Sequence, residues 1–183
     1  MGKPKIVVLD RDGVINEDSD HYIKSPDEWI PLPGSIAAIA KLKEAGYLVA
    51  IATNQSGIGR GYFSEEVLSA MHQKLRDQLA EHTDLDIDLI VYCPHKPDEG
   101  CDCRKPNPGL LDQIESLLVV DLEGQYLVGD SLKDLQVASA KKMKPILVKT
   151  GKGAETLQRE LPADVLIQED LSSAVDHILR KQG

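Results

Sequence analysis

The sequence lacks several features that would place it in whole classes of protein. No apolar run is long enough to span a bilayer, and residues 1–4 lead into an apolar run without the regions of a signal peptide. Basic residues are few, since 21 Lys and Arg stand against 30 Asp and Glu for a formal net charge of -9. Because nucleic acids are bound through lysine and arginine, this charge argues against a nucleic-acid partner. We therefore expect a cytoplasmic protein with neither a membrane nor a nucleic acid as its partner.

The chain also contains no internal repeat, no low-complexity segment and no insert large enough to form a separate cap domain. Its 183 residues, of which 42% are hydrophobic, suffice for one compact domain with a full core and are too few for two ordinary ones. We therefore expect a single domain over residues 1–183. Because no strongly apolar surface stripe is evident, we also expect a monomer.

Cysteine is scarce, and its positions are clustered. The three cysteines, Cys93, Cys101 and Cys103, form the pattern C-x-H-x5-C-x-C together with His95. In a reducing compartment an odd number of clustered cysteines favours metal binding, and the alternatives are a disulfide or three inert buried thiols. Four protein ligands with no open position are typical of a structural zinc site. We predict Zn²⁺ at these four residues, in a loop that spans residues 93–109.

Two hydrophobic patterns alternate along the chain. Short, nearly continuous apolar runs predict buried parallel strands at residues 5–9, 47–52, 87–92, 125–128, 145–148 and 165–167. Amphipathic stretches predict helices around residues 36–42, 67–79, 110–118, 135–140 and 171–179. Ser64 is predicted to cap the second of these helices, and Gly46 to end the first. The alternation predicts an α/β fold, Rossmann-like, with a central parallel sheet and helices on both faces.

Polar residues follow three of the predicted strands. Asp10 and Asp12 come after the first strand, Thr53 and Asn54 after the second, and Asp130 after the fourth. In open parallel sheets the ligand crevice lies outside the carboxyl ends of the strands. Crowded carboxylates need a shared proton or a divalent cation, and Mg²⁺ takes carboxylate oxygens and works with phosphates. The pattern therefore indicates a Mg²⁺ site at Asp10 and Asp130.

These residue types fit phosphoryl transfer. An ionised Asp10 can attack phosphorus to form an aspartyl-phosphate, and Asp12 can protonate the leaving oxygen and later deprotonate water. Gly13 lets the chain turn sharply behind them. The transferring group needs hydrogen-bond donors and a fixed cation, which Thr53 and Lys105 can supply. A surface turn or a solvated charge explains any one of these residues, but it does not explain the whole set in this order.

The sequence resembles the haloacid dehalogenase (HAD) superfamily of phosphohydrolases. The similarity covers about residues 5 to 153, and four motifs carry it: "DRDGVIN", "ATN" at residues 52–54, Lys105, and "GDSLKD" at residues 129–134. Two longer stretches, "TNQSGIGRG" and "CPHKPDEGCDCRKPNPG", are similar to sugar-bisphosphate phosphatases close to the histidinol-phosphatase branch. The resemblance implies a HAD fold.

The resemblance also implies roles for individual residues. It implies Asp10 as the nucleophile, Asp12 as acid and base, and Asp10, the Asp12 carbonyl and Asp130 as Mg²⁺ ligands. Contacts to phosphate or substrate are expected from Asn54, Gln55, Ser56, Arg60, Arg104 and Lys105. Arg60 is the candidate for a second phosphate, with a solvated loop charge as the alternative.

The function that the resemblance implies is a Mg²⁺-dependent phosphatase of a small phosphorylated sugar. The expected substrate is a heptose 1,7-bisphosphate at its 7-phosphate, in the supply of ADP- or GDP-heptose for a bacterial cell-surface polysaccharide. Histidinol phosphate is the alternative substrate, because it would keep the catalytic residues and change only the loops. A non-catalytic zinc-bearing binding module is the alternative outside enzymes, although such a module has no reason to retain the five polar catalytic and metal residues together.

Substrate selection is expected to come from three loops, at residues 16–33, 54–63 and 93–109. Trp29, the only tryptophan, is either a wall of the substrate site or the anchor of the first loop. Asp134 is expected to support the metal site, with an acidic residue in the first turn of a helix as the alternative. His72, in a helical stretch, is expected to be exposed and without a functional partner.

Overall fold

Six strands form one parallel sheet in the computed structural model, which describes residues 2–181. The strands are β1 (Ile6–Leu9), β2 (Leu48–Asn54), β3 (Leu89–Cys93), β4 (Tyr126–Gly129), β5 (Lys144–Val148) and β6 (Leu166–Gln168). Their order across the sheet is β3-β2-β1-β4-β5-β6, and every neighbouring pair is parallel. The predicted α/β fold is confirmed. The single domain over residues 1–183 stays a prediction, because residues 1, 182 and 183 lie outside the described part of the chain.

Helices cover both faces of the sheet. They are α1 (Ser35–Glu44), α2 (Ser56–Gly59), α3 (Glu65–Ala80), α4 (Gly109–Leu118), α5 (Leu132–Ala140), α6 (Gly153–Thr156) and α7 (Leu171–Arg180). Alternate residues of β1 point to opposite faces: Val7 and Leu9 pack with α1, α3 and α7, whereas Ile6 and Val8 pack with α4 and α5. Burial on both sides explains why the strands are apolar throughout. Within residues 2–181, no helix is both long and apolar enough to cross a membrane.

The predicted helix signals act as expected. The Ser64 hydroxyl accepts a hydrogen bond from the Val67 amide at 3.3 Å and caps α3, and Gly46 adopts a φ of 84° just after α1. Helices α2 and α6 are not predicted, because four-residue helices are too short to show a periodicity.

One strand boundary differs from the prediction in a way that matters for function. Thr53 and Asn54 are the last residues of β2 and do not follow the strand. Strand β3 extends the ladder this far, since Thr53 is paired with Tyr92 and Asn54 with Cys93. Both polar residues are therefore held by the sheet itself.

The order of the strands creates a switch point beside β1. The chain builds β2 and β3 on one side of β1 and then crosses to build β4, β5 and β6 on the other. Asp10 follows β1 and Asp130 follows β4, so the two aspartates flank the crevice at which such sheets bind ligands.

The loop between β1 and α1 is anchored in the core. Trp29 is fully buried, and the Lys74 ammonium donates hydrogen bonds to the carbonyls of Pro26 at 2.7 Å and Trp29 at 2.8 Å. Of the two roles open to Trp29, the structure therefore favours the loop anchor.

Candidate active site

A cavity of about 360 Å³ lies at the switch point. Predicted site residues in its lining are Asp10, Asp12, Asn54, Ser56, Arg104, Lys105 and Asp130. The loop after β1 adds Asp18, Ser19, Asp20 and Tyr22, and the segments after β4 and β5 add Ser131, Leu132, Lys133, Asp134, Lys152, Glu155, Thr156 and Arg159. The topology thus brings most of the predicted residues to one crevice.

Lys105 links two of the carboxylates. Its Nζ lies 3.0 Å from Asp10 Oδ1, 2.6 Å from Asp134 Oδ1 and 2.7 Å from the Ala52 carbonyl oxygen. An ammonium has three donors, and all three are used. Burial alone would lower the pKa of Lys105, but the carboxylates of Asp10 and Asp134 outweigh it and raise the pKa above its ordinary value. The result is a permanent positive charge fixed against Asp10.

The acidic side chains are crowded beyond what Lys105 can neutralise. One oxygen of each of Asp10, Asp130 and Asp134 lies within 4.8 Å of the others. Burial, followed by the charge of Asp134, raises the pKa of Asp10 well above its ordinary value despite Lys105. The same two causes raise the pKa of Asp130 to about 7. Hard oxygen ligands with unbalanced negative charge suit Mg²⁺.

Asp134 is committed to protein partners. Its Oδ1 accepts from Lys105, and its Oδ2 accepts from the Ser131 amide at 3.2 Å and the Ser131 hydroxyl at 2.9 Å. The bond from the Ser131 amide is one half of the capping box of α5, so Asp134 both orients Lys105 and starts the helix. Asp10 and Asp130 therefore remain the better candidates for metal ligands.

Gly13 allows a close approach that the metal site needs. Its φ is 83°, and a Cβ at this position would collide with the Asp130 carboxylate. The Asp12–Gly13 backbone therefore lies directly beside Asp130. This geometry fits the expected use of the Asp12 carbonyl as a Mg²⁺ ligand.

Asp12 has a different environment from Asp10. Its Oδ1 accepts from Arg11 Nη2 at 2.8 Å, Arg11 Nε at 3.2 Å and Asn16 Nδ2 at 2.8 Å, and its Oδ2 accepts from Gln55 Nε2 at 2.7 Å. Burial alone would raise the pKa of Asp12. The Arg11 charge and the hydrogen bonds outweigh burial and hold this pKa below its ordinary value. Two aspartates one residue apart thus have pKa values shifted in opposite directions.

Residues at the end of β2 and just after it support both Lys105 and Asp12. The Asn54 side chain accepts from the Lys105 amide at 3.0 Å and donates to the Lys105 carbonyl at 3.1 Å, which fixes the Lys105 backbone. Gln55 Nε2 donates to Thr53 Oγ1 at 2.9 Å and also to Asp12. Gln55 is only 5% exposed. Its amide nitrogen is used by Asp12 and Thr53, and the contact of Gln55 with substrate stays a prediction.

The two predicted arginines lie in different surroundings. Arg104 lines the cavity, and its buried Nη1 has no hydrogen-bond partner among residues 2–181. An unsatisfied buried donor is costly, which makes Nη1 a candidate partner for a bound anion. Arg60 is exposed, and its guanidinium lies 6.0 Å from the ring centroid of Tyr22, which itself lines the cavity. Arg60 is therefore a residue of the rim and is absent from the cavity wall.

The sequence analysis missed two residues that hold Asp12, and it misjudged a third. Arg11 and Asn16 are both fully buried, and the only sequence signal for them is their position around the aspartates. The prediction that His72 is exposed is wrong: it is 8% exposed, and its Nε2 lies 3.3 Å from Arg11 Nη1. His72 follows Leu68 by four residues and so lies on the buried face of α3.

The four predicted zinc ligands come together at a second place. The sulfur atoms of Cys93, Cys101 and Cys103 and the Nδ1 of His95 all lie within 4.8 Å of one another. Cys93 Sγ is 3.6 Å from Cys101 Sγ and from His95 Nδ1, and Cys103 Sγ is 3.3 Å from His95 Nδ1. All three cysteines are free thiols. Three sulfurs and one imidazole nitrogen fit a tetrahedral zinc ion.

Comparisons with known proteins agree with this geometry. Residues 102–174 match the family described as HAD-hydrolase-like. The chain is 57% identical over 175 residues to D-glycero-beta-D-manno-heptose-1,7-bisphosphate 7-phosphatase of Pseudomonas aeruginosa, covering 96% of this chain and 98% of the relative. The protein of the same name from Bordetella bronchiseptica is 49% identical over 178 residues, which cover 97% of this chain and 99% of the relative.

A solved structure extends the agreement to three dimensions. It is the D,D-heptose 1,7-bisphosphate phosphatase from B. bronchiseptica complexed with magnesium and phosphate, with a TM-score of 0.93 and 49% identity. The match covers 97% of this chain and 99% of that chain. Fold and site together define a hydrolase of the HAD-like class, which confirms the resemblance seen in the motifs. The chain belongs to the family of D-glycero-beta-D-manno-heptose-1,7-bisphosphate 7-phosphatases.

Proposed function

We propose that the protein is a Mg²⁺-dependent phosphatase that releases the 7-phosphate of D-glycero-beta-D-manno-heptose 1,7-bisphosphate through an aspartyl-phosphate on Asp10. The observation that carries the proposal is the buried contact of Asp10 with Lys105, beside Asp130, in a chain 57% identical to a phosphatase of that name. The beta anomer follows from the names of the relatives. The product would feed the synthesis of ADP- or GDP-heptose for a cell-surface polysaccharide.

The first step transfers the phosphoryl group to Asp10. Mg²⁺ held by Asp10, Asp130 and the Asp12 carbonyl would neutralise charge on that group and orient it. An Asp10 carboxylate oxygen attacks phosphorus, and the bond between phosphorus and the C7 oxygen breaks. Lys105, together with the unpartnered Nη1 of Arg104, stabilises the negative charge on the phosphoryl oxygens.

Asp12 supplies the proton that the leaving sugar oxygen needs. In the free protein its lowered pKa keeps it ionised, but the negative charge of an arriving phosphate favours the protonated form, so Asp12 takes up a proton from solvent as the substrate binds. In the second step Asp12, now ionised again, takes a proton from the water that attacks phosphorus. Inorganic phosphate leaves and Asp12 releases this proton to solvent, so both aspartates return to their starting state.

The second phosphate of the substrate has candidate partners on the cavity wall. Partial desolvation, followed by the charges of Arg104 and Lys152, lowers the pKa of Lys133, which indicates that three cations lie close together. All three line the cavity. This cluster favours a bisphosphate over histidinol phosphate, because histidinol phosphate carries a cationic amine in place of a second anion.

The cysteine cluster is proposed to hold a structural Zn²⁺. Four protein ligands leave no open position, so this ion cannot activate water. Its role is to fix the loop of residues 93–109, in which Cys103 directly precedes Arg104 and Lys105. We also propose that the protein acts as a cytoplasmic monomer.

Phosphate release tests the proposed function. We would compare both anomers of the heptose 1,7-bisphosphate with histidinol phosphate, each with Mg²⁺ and after its removal. Mg²⁺-dependent turnover that favours the beta anomer supports the proposal. Preferential turnover of histidinol phosphate would keep the mechanism and contradict the substrate, and the absence of release from all three would contradict both.

A further inference from the structure

Arg11 is a fully buried cation with few partners. Its side chain is 0% exposed, and Asp12 is the only carboxylate within ion-pair distance of it among residues 2–181. Two of its nitrogens, Nε and Nη2, donate to Asp12 Oδ1. Its remaining nitrogen, Nη1, lies 3.3 Å from His72 Nε2 and 4.0 Å from Met71 Sδ. Because an unpaired buried cation is costly, both ends of the guanidinium need these partners.

The contact between Arg11 and His72 defines the state of the imidazole. A guanidinium carries only donors, so His72 Nε2 must be the acceptor and the proton must sit on Nδ1. Burial, then the charges of Arg11 and Arg76 against that of Asp12, lowers the pKa of His72 to about 3. The ring is therefore neutral at physiological pH and remains an acceptor.

The two carboxylate oxygens of Asp12 receive different numbers of hydrogen bonds. Oδ1 receives three hydrogen bonds, from Arg11 and Asn16, whereas Oδ2 receives one from Gln55. A carboxylate oxygen with three donors has little capacity left for a substrate. Oδ2 is thus the oxygen that can exchange a proton. The two Arg11 donors, Nε and Nη2, help to fix the rotation of the carboxylate that leaves Oδ2 in this position.

We propose that His72 is a positioning residue for the acid/base Asp12, which it orients through the guanidinium of Arg11. The inference rests on the proposed phosphatase function. Loss of the acceptor at Nη1 leaves the guanidinium free to turn toward other partners, and Asp12 then loses two of the four hydrogen bonds that fix its rotation. A misplaced acid slows the step that needs a proton on the leaving oxygen.

The test compares two substrates whose leaving groups differ. From the heptose bisphosphate the sugar leaves as an alkoxide and needs a proton, whereas from p-nitrophenyl phosphate a stable phenolate leaves and needs none. The value of kcat/KM reports only the steps through cleavage of the substrate ester, so it isolates the step in which Asp12 acts as an acid. Asp12→Asn supplies the pattern expected when that acid is lost.

The variants differ in whether they keep an acceptor for Arg11. His72→Leu removes the acceptor, and we expect kcat/KM for the heptose bisphosphate to fall about tenfold or more and that for p-nitrophenyl phosphate to fall less than about threefold. His72→Gln places an amide oxygen near the Nε2 position and should keep both values within about threefold of the wild type. His72→Asn is too short to reach Arg11 and should resemble His72→Leu, which covers the case in which the leucine variant does not fold.

A purely structural role gives a different pattern. An equal decrease in kcat/KM for both substrates, or an unchanged kcat/KM in His72→Leu, would overturn the proposal. Leu75→Val, a core change on the same helix that removes no hydrogen-bond acceptor, controls for lost stability. Wild-type protein that fails to hydrolyse the heptose bisphosphate would contradict the proposed function instead, and the variants would then be compared on an alkyl phosphate that it does hydrolyse.

Discussion

The carboxylate site and the cysteine cluster both crowd similar groups together, but the fold supports them differently. Asp10 and Asp130 follow the paired strands β1 and β4, and the buried ammonium of Lys105 already lies against Asp10. In the cysteine cluster only Cys93 belongs to a strand, and the other three members lie in the loop between β3 and α4. The carboxylate site is therefore preformed by the sheet, whereas the cysteine cluster lies mostly in a loop that the proposed zinc ion would hold.

At the carboxylate site, the substitution Asp10→Asn should cause the largest loss of activity. An amide is a very poor nucleophile, so we expect turnover to fall by roughly 10,000-fold or more while the fold stays intact. Phosphate release and circular dichroism measure the two effects. Asp27→Asn, an exposed change in the loop after β1, should leave activity unchanged. Near-normal turnover of Asp10→Asn would rule out the covalent mechanism.

Lys105→Met should have the largest effect on stability. Without the ammonium, Asp10 and Asp134 lose their common cation in a buried site, and we expect a loss of about 3 kcal/mol or more in Mg²⁺-free buffer. Urea unfolding measures it. Lys149→Met is the matched control, because Lys149 and its partner Glu169 are 40% and 71% exposed, and its removal should cost less than about 1 kcal/mol. Equal losses would show that Lys105 does not neutralise the site.

Cys101→Ser should break the cysteine cluster with a smaller effect. We expect loss of bound zinc and a decrease of about 2 kcal/mol in unfolding free energy, with partial activity retained because Lys105 is still held by Asn54. Elemental analysis and thermal melting measure these changes. Asp102→Asn, an exposed change inside the same loop, should retain zinc. Purified wild-type protein without zinc would remove the proposed site.

The smallest expected effect is the pH dependence of Mg²⁺ binding. The folded protein holds a proton on Asp130 up to a pKa of about 7, above the ordinary aspartate value. The stability from this protonation is fully present below about pH 4 and is lost as the pH rises through 7. Mg²⁺ needs the ionised carboxylate, so its apparent affinity should be about tenfold weaker at pH 6 than at pH 8.

Calorimetric titration at the two pH values checks this prediction. Asp130→Asn, which has no carboxyl proton at this position, should lose the steep dependence along with most of the affinity. A wild-type affinity that does not change between pH 6 and pH 8 would contradict the combination of a raised Asp130 pKa and an Asp130 ligand.

The sequence predicted best what depends on a strand and on the residue that follows it. Asp10, Asp12 and Asp130 could be located because buried strands are apolar, and a polar residue at a strand end stands out. The cysteine pattern could be located from spacing alone. The exact end of β2 could not, because it depends on pairing with β3, which no local pattern specifies.

The sequence could not predict which side chains act through contacts with other side chains. Arg11 would be expected at the surface from its charge, and it is buried only because Asp12 and His72 both reach it. The role of Gln55 was equally hard to predict, because the direction of its amide follows from the positions of Asp12 and Thr53. Such contacts link β1, β2 and α3, which are far apart in the chain.

Trapping the covalent intermediate tests the central claim most directly. The protein would be mixed with the heptose bisphosphate and Mg²⁺, quenched within milliseconds in acid, digested and analysed by mass spectrometry. The account predicts an acid-stable, base-labile phosphate on the peptide that contains Asp10, and its absence in Asp10→Asn. Phosphate on another residue, or full turnover without any phosphorylated protein, would contradict it.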